Sequence, residues 1–285
     1  MDEAEVERDW RAGERGAGVV VLDGFHPLKH ALRFGGEVRR VVTVDRGELL
    51  ALARELAPDV EEELDALAVE LPERTMRALV PRLHPTGVIA QAVRPSVEAN
   101  REALARRPRR APVVVLENPR NLGNVGAVIR LAAGFGAAGV VTTGEVDPWH
   151  PTVLRGSAGL HFATAVERVG LAELPEGPLY VLDPEGEDIR DVPFPDDALL
   201  AFGTERHGVS AELRARADHL VAVPMRPGVS SFNLATSVGM GLFHWMSGTS
   251  GTSGTSGASG TSGASGASGA SGASGRPPGA GPDGH

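Results

Sequence analysis

A chain of 285 residues with 41% hydrophobic content holds material for two modest domains with real cores, and is longer than one average domain. Its formal charge of -9, from 37 acidic against 28 basic residues, excludes a surface coated in cation for indiscriminate nucleic-acid binding but leaves room for a local basic patch. The absence of cysteine excludes disulfides, thiolate metal sites and cysteine nucleophiles together.

No apolar run approaches the roughly 20 residues of a membrane span. The acidic opening Met1-Asp-Glu-Ala-Glu-Val-Glu-Arg8 lacks the charged-then-apolar order of a signal peptide, so a cytoplasmic protein without membrane contact is expected. Residues 1–16 are polar and read as a flexible, at most loosely helical N-terminus. Residues 17–95 read as a small alternating α/β domain. In order they give a strand at 19–22, the turn Asp23-Gly-Phe-His-Pro27, a helix at 28–34, a strand at 38–44 and a helix at 47–56. A helix at 61–68 follows, with 69–71 either closing it or forming a short strand, then a helix at 72–83 and a closing strand at 87–93. His26, Lys29, His30, Arg33, Arg39 and Arg40 cluster near the first helix and second strand, as either a solvated face or a phosphate-contacting surface.

Residues 96–111 combine proline breaks with charge and read as a linker. Arg106, Arg107, Arg109 and Arg110 form the densest basic run of an acidic protein, which favours an RNA backbone contact over a merely soluble hinge. A second domain covers 112–247, with strands at 113–117, 139–143, 179–182, 199–202 and 220–223. Helices or turns such as Asp183-Pro-Glu-Gly186 separate them, a pattern that points to a mostly parallel sheet covered on both faces. Gly134-Phe-Gly-Ala-Ala-Gly139 matches the dinucleotide-binding fingerprint in letters only: it leaves a helix and enters a strand, the reverse of what that site requires. Residues 248–285 are largely Ser-Gly-Thr and Ser-Gly-Ala triplets, which cannot bury enough apolar surface to offset ordering entropy, and a disordered tail is expected.

Three loops of the second domain carry chemistry. In Val113-Val-Val-Leu-Glu-Asn-Pro-Arg-Asn-Leu-Gly-Asn-Val-Gly-Ala-Val-Ile-Arg130 a β-branched run ends among Asn118, Asn121 and Asn124, with an N-cap at Asn121 or Asn124. Arg130 lies inside an apolar helix, where it either snorkels to water or is held in a polar site. Leu200-Ala-Phe-Gly-Thr-Glu-Arg-His-Gly-Val-Ser210 sets Glu205 in a glycine-bracketed loop directly after a strand. Val221-Ala-Val-Pro-Met-Arg-Pro-Gly-Val-Ser-Ser-Phe-Asn233 ends a strand and opens a helix at Ser230, Ser231 and Asn233; Ser231 alone reads as an N-cap. All three loops leave the C-terminal ends of predicted strands and are placed to meet at one pocket. His207 and His244 have no partner at metal spacing, so no metal site is assigned.

The segments 118–130, 202–209 and 223–235 resemble, in order and spacing, the three motifs of the SpoU-type RNA ribose methyltransferases of the SPOUT superfamily, across about half the chain. Thr143-Gly-Glu-Val-Asp-Pro-Trp-His150, continuing to Gly159, is similar to the region between the first two motifs. Leu32-Arg-Phe-Gly-Gly36 and His84-Pro-Thr-Gly-Val-Ile-Ala90 are similar to the ribosomal-protein-like substrate-binding domain of many members. The resemblance implies an α/β protein: a small substrate-binding domain, then a parallel-sheet SPOUT domain tied in a deep trefoil knot that periodicity cannot reveal. It implies S-adenosylmethionine as cofactor, RNA (rRNA above tRNA) as substrate, and a homodimer. Carried over by motif, Asn124, Arg130, Glu205, Ser231 and Asn233 take the catalytic roles. Thr143, Gly144, Phe202, Gly203, Val223, Met225, Ser231, Phe232 and Leu234 contact the cofactor, and Arg106, Arg107, Arg109, Arg110, His30 and Arg33 contact RNA. Phe232 departs from the more usual leucine, which touches the pocket's shape more than its chemistry. A non-catalytic RNA-binding relative of the same fold is the alternative; the intact polar set favours the enzyme.

Overall fold

The computed structural model describes residues 3–14, 16, 18–204 and 206–249; Glu205 and the expected tail from residue 250 onward lie outside the described residues. The first domain is built on β1 (Val19–Asp23), β2 (Glu37–Thr43), β3 (Ala68–Glu70) and β4 (Val88–Val93) in the order β1-β4-β2-β3. β4 pairs antiparallel with both β1 and β2, and β3 joins β2 in parallel. Side chains alternate along these strands, as a period of two requires: Leu22, Val41, Val88 and Ala90 enter one apolar cluster, while Val42 and Ile89 enter another.

Each face needs a cover. The first is closed by α2 (Phe25–Arg33), α3 (Arg46–Leu56) and α4 (Glu61–Leu67), through residues such as Phe25, Leu28, Leu49 and Leu64. The second is closed by α5 (Glu73–Leu79) and by a helix at the start of the chain, α1 (Glu3–Glu14). This corrects the expectation of a flexible N-terminus. Val6 and Trp10 stand one helical turn apart and are buried against the second face, with Trp10 fully covered.

The second domain carries one parallel sheet in the order β10-β8-β9-β5-β6-β7. Its strands are β5 (Val113–Leu116), β6 (Gly139–Thr142), β7 (Ala165–Arg168), β8 (Leu179–Asp188), β9 (Leu199–Phe202) and β10 (His219–Ala222). β5, β6 and β9 are buried at every residue, which is why they read as unbroken apolar runs. β7 has no counterpart among the expected strands: Ala-Val-Glu-Arg is a short, half-polar edge strand without the apolar signal of the centre. The expected linker also differs. Its first half is α6 (Val97–Ala105), capped by the Ser96 hydroxyl, which accepts the Ala99 N–H at 3.1 Å. Asn100 donates to the Val166 carbonyl of β7 at 3.0 Å, and Leu104 is buried against β5 and β6, so the segment belongs to the wall of the second domain.

The remaining helices of this domain are α7 (Leu122–Phe135), α8 (Pro151–Gly156), α9 (Ala211–Ala215) and α10 (Leu234–Thr249). The two domains dock directly. One apolar cluster runs from Leu22, Phe25 and Leu28 of the first into Val125, Trp149 and Leu154 of the second. Asp23 pairs with Arg155 at 2.9 Å, and Gly159, at φ +75°, lies where a Cβ would come within 2.6 Å of the Pro27 backbone.

Candidate active site

The site stands at the carboxyl ends of β5, β8, β9 and β10, the edge where open parallel sheets hold ligands. A cavity of about 570 Å³ opens there. Phe202, Gly203 and Thr204 wall it after β9; Val223 and Met225 after β10; and Ser230, Ser231, Phe232 and Leu234 at the entry to α10. The loop after β9 folds back on itself through the Thr204 and Gly208 backbone groups, which pair at 2.9 and 3.0 Å. Only glycine fits at 203, since a Cβ would sit 2.1 Å from the Gly208 carbonyl carbon. A cavity of this size, lined by apolar side chains together with hydroxyls and charged groups, suits a nucleoside-type ligand.

Of the residues expected to hold a cofactor, Phe202, Gly203, Val223, Met225, Ser231, Phe232 and Leu234 line this cavity. Thr143 and Gly144 do not. The Thr143 hydroxyl, buried, accepts the Asn118 N–H at 3.0 Å, and Gly144 packs under the Asn118 side chain, so both brace the turn after β5.

Asn121 is the N-cap of α7, accepting the Asn124 N–H at 3.1 Å. With the cap supplied by Asn121, the Asn124 side chain turns toward the third loop, where its carbonyl accepts from the Asn233 amide at 3.1 Å. Asn233 in turn accepts the Ala235 N–H at 2.9 Å and so caps α10. The first and third motifs, 109 residues apart, are thereby joined beside the cavity. Arg130 stands exposed on α7 and makes no hydrogen bond or ion pair among the described residues, so it takes the water-facing one of its two readings. It lies near enough to His26 of the first domain to help push that histidine's pKa below the usual value, after burial and Lys29.

Several residues of the site carried no signal strong enough to single them out. Asp183 and Glu185 line the cavity with Arg214, which bonds both, at 3.2 and 2.5 Å. They reach it because the pairing of β10 with β8 jumps register between Leu220 and Val221, leaving residues 183–185 out of that ladder. Glu117, almost fully buried, accepts the Ser210 N–H at 2.8 Å and ties the turn after β5 to the loop after β9.

The expected RNA contacts divide. Arg106 and Arg110 are exposed. Arg107 pairs with Asp197 at 2.8 Å. Arg109 is buried and donates to the carbonyls of Leu104, Glu176 and Asp197, which makes it a brace inside the domain and not a phosphate contact. His30 meets the Ala158 carbonyl at 2.7 Å across the domain junction, and Arg33 grips Asp59 through two bonds, so both are engaged within the protein. No group of three or more His, Asp or Glu placed to hold a metal ion, and no helix long and apolar enough to cross a membrane, occurs among the described residues.

A parallel sheet with a nucleoside-sized cavity at its carboxyl edge, and asparagines joined across two loops beside it, defines an α/β ligand-binding domain. The sequence profile of the SpoU rRNA Methylase family matches residues 111–243. The chain is 31% identical over 237 residues to the 23S rRNA (uridine(2479)-2'-O)-methyltransferase of Streptomyces viridochromogenes, covering 78% of this chain and 80% of that protein. It is 28% identical over 240 residues to the 23S rRNA (adenosine(1067)-2'-O)-methyltransferase of Streptomyces laurentii, covering 78% and 84%. The chain belongs to the SpoU rRNA methylase family. Among solved structures, the AdoMet-bound rRNA methyltransferase from Sinorhizobium meliloti shares the fold at a TM-score of 0.67 and 22% identity, over 84% of this chain and 93% of that one.

Proposed function

We propose that the chain transfers a methyl group from S-adenosylmethionine to the 2'-hydroxyl of a ribose in structured RNA, with ribosomal RNA favoured over tRNA. The observation that carries the proposal is the Asn124–Asn233 bond, which joins two motifs beside a cavity of nucleoside size and on the helix that bears Arg130. It is supported by the relatives, two of which are named for 2'-O-methylation of 23S rRNA.

When bound, S-adenosylmethionine supplies a methyl on a cationic sulfonium, which leaves with its bonding electrons retained by sulfur. The chain's residues do the rest. A ribose hydroxyl is a poor nucleophile, so it has to be held in line and to lose its proton as the new O–C bond forms. Arg130 engages that hydroxyl and the neighbouring phosphate and stabilises developing oxyanion character. Arginine is normally protonated, so this role is that of a hydrogen-bond donor, and the proton of the hydroxyl passes to solvent water as the O–C bond forms. Asn124, fixed by Asn233, orients the ribose; Glu205 completes that arrangement with charge-assisted hydrogen bonds. Ser231 shapes the cofactor slot, as do Phe202, Gly203 and Met225.

The first domain, with Arg106 and Arg110, supplies affinity for RNA. The exposed apolar side chains Phe243 and Met246 of α10 fit a second copy of the chain, and the loops after β9 and β10 form the family's trefoil knot. Acting on ribosomal RNA, the enzyme works in the cytoplasm.

The test is transfer of labelled methyl to total RNA from a strain lacking the gene, followed by mapping of alkali-resistant positions. Arg130→Ala should keep S-adenosylmethionine binding and lose turnover by orders of magnitude. Absence of any incorporated methyl with wild-type protein would leave the non-catalytic relative as the better account.

A further inference from the structure

We propose that Lys29 and His26 of the first domain form, with Arg130 of the second, a clamp for an RNA phosphate next to the target ribose; this rests on the function proposed above. Lys29 is the one lysine of the chain. It lies on α2 and makes no hydrogen bond or ion pair among the described residues; its amine stands 5.9 Å from the centre of the Phe25 ring. The carboxylate that acts on it, Asp59, is taken by both ends of the Arg33 guanidinium. His26 is exposed one helical turn before Lys29, on the same side of α2. The two permanent charges that act on His26, those of Lys29 and Arg130, are both cationic. Asp23, the other carboxylate at the junction, is held by Arg155.

The juxtaposition is rigid. α2 is fixed to the second domain by the His30 bond to the Ala158 carbonyl, by the Asp23–Arg155 pair and by the close approach of Pro27 to Gly159. Lys29 and His26 therefore keep a constant relation to Arg130. In a protein of net charge -9, two cations from two domains, Lys29 and Arg130, that make no ion pair among the described residues form a seat for an external anion, with the His26 ring beside them as a hydrogen-bonding group. In RNA the phosphate on the 3' side lies within a few ångströms of the 2'-hydroxyl. Gripping that phosphate from the first domain would place the hydroxyl at Arg130, and this divides the work: His30 and Arg33 hold the domain, while Lys29 and His26 hold the substrate.

The single ε-amine makes the proposal directly testable. Full-length protein is treated with an amine-acylating ester, with and without an unmodified 23S rRNA transcript, and modification of Lys29 is read by mass spectrometry against the N-terminal amine. RNA should protect Lys29 and leave the N-terminus reactive. Lys29→Gln should raise the Kd for the transcript by about three- to tenfold and lower its logarithmic salt slope by roughly 0.7–0.9, the change expected when one phosphate is no longer neutralised. Lys29→Arg should restore both, and affinity for S-adenosylmethionine should not move. Equal acylation with and without saturating RNA, or an unchanged Kd and slope in Lys29→Gln, would overturn the clamp. The two proposals fail separately: protection of Lys29 without methyl transfer keeps the clamp and removes the enzyme, whereas methyl transfer with an unprotected Lys29 does the reverse.

Discussion

Acid should weaken this protein through one buried side chain, His161. Its ring is 1% exposed, packs 4.7 Å from the Trp149 ring, and meets the Pro148 carbonyl at 2.7 Å and the Ser157 hydroxyl at 2.8 Å. Burial pushes its pKa from 6.5 to about 4, against the smaller pulls of the Pro148 carbonyl and Asp147. Because the folded value lies below the unfolded one, the unfolded chain binds more protons between the two. Stability is therefore full above about pH 6.5 and falls as the pH drops toward 4. A difference of 6.5 minus about 4 amounts to about 3.4 kcal/mol at 1.36 kcal/mol per unit, of which about 2 kcal/mol is lost between pH 7 and pH 5. Urea unfolding followed by tryptophan fluorescence at those two pH values, on wild type and His161→Asn, isolates the effect. The variant starts less stable but should lose about 2 kcal/mol less on acidification. His26 and His30, also depressed by burial, titrate in both proteins and cancel in the comparison. Parallel profiles for the two proteins would refute the reasoning. The loss matters to function because the segment His161 braces carries Ala158 and Gly159, on which the first domain is seated.

Two further expectations concern the cavity. Gly203→Ala places a methyl 2.1 Å from the Gly208 backbone, which has no flexible end to give way; S-adenosylmethionine affinity by calorimetry should fall more than about tenfold with the fold retained, and an unchanged Kd would show that the loop is free to move. Asn124→Ala and Asn233→Ala should be less than additive in kcat/KM, with a coupling of about 1 kcal/mol for their shared hydrogen bond; full additivity would mean that the bond does no work in the transition state.

How much of this was legible in the sequence depended on how locally each feature is specified. β5, β6 and β9 were, because a strand covered on both faces must be apolar at every position. The cavity was largely legible too, since Phe202, Gly203, Met225 and Ser231 follow strand ends and parallel strands present their ends together. Features fixed by distant partners were not. Val6 and Trp10 look like stray apolar residues in a polar segment until the open face of the first sheet is known. The bond between Asn124 and Asn233 spans most of the second domain, and Asp183 reaches the cavity only through a register jump that no local pattern announces. His30 and Arg33 have the composition of an RNA-facing helix; only the docked domain and Asp59 show them occupied, with Lys29 and His26 left over.

The arginine run at 106–110 shows the same division in testable form. Read as a string, its four arginines are equivalent cations; in the fold they do three different things. Arg109 is buried, and its guanidinium is the donor for three backbone carbonyls, two of them at 2.5 Å. Arg109→Ala removes the donor shared by one buried and two part-buried acceptors, which should cost on the order of 3 kcal/mol and lower the melting temperature by several degrees. Arg107 is half satisfied at the surface by Asp197 and Glu176, a type of pair worth about 0–1 kcal/mol, so its loss should be close to silent in stability. Arg106 and Arg110 are exposed and carry no ion pair among the described residues, so they alone are available to phosphate. Changing these two to Ala should leave melting unchanged and lower the salt slope of RNA binding, by up to roughly 0.7–0.9 for each phosphate that is no longer neutralised. Thermal melts and RNA binding at several salt concentrations, run on Arg109→Ala and on the Arg106→Ala, Arg110→Ala pair, separate the roles. A pair that keeps the wild-type salt slope would make the exposed arginines a solvated surface only, and an Arg109→Ala variant that melts normally but binds RNA weakly would contradict the buried placement of that guanidinium.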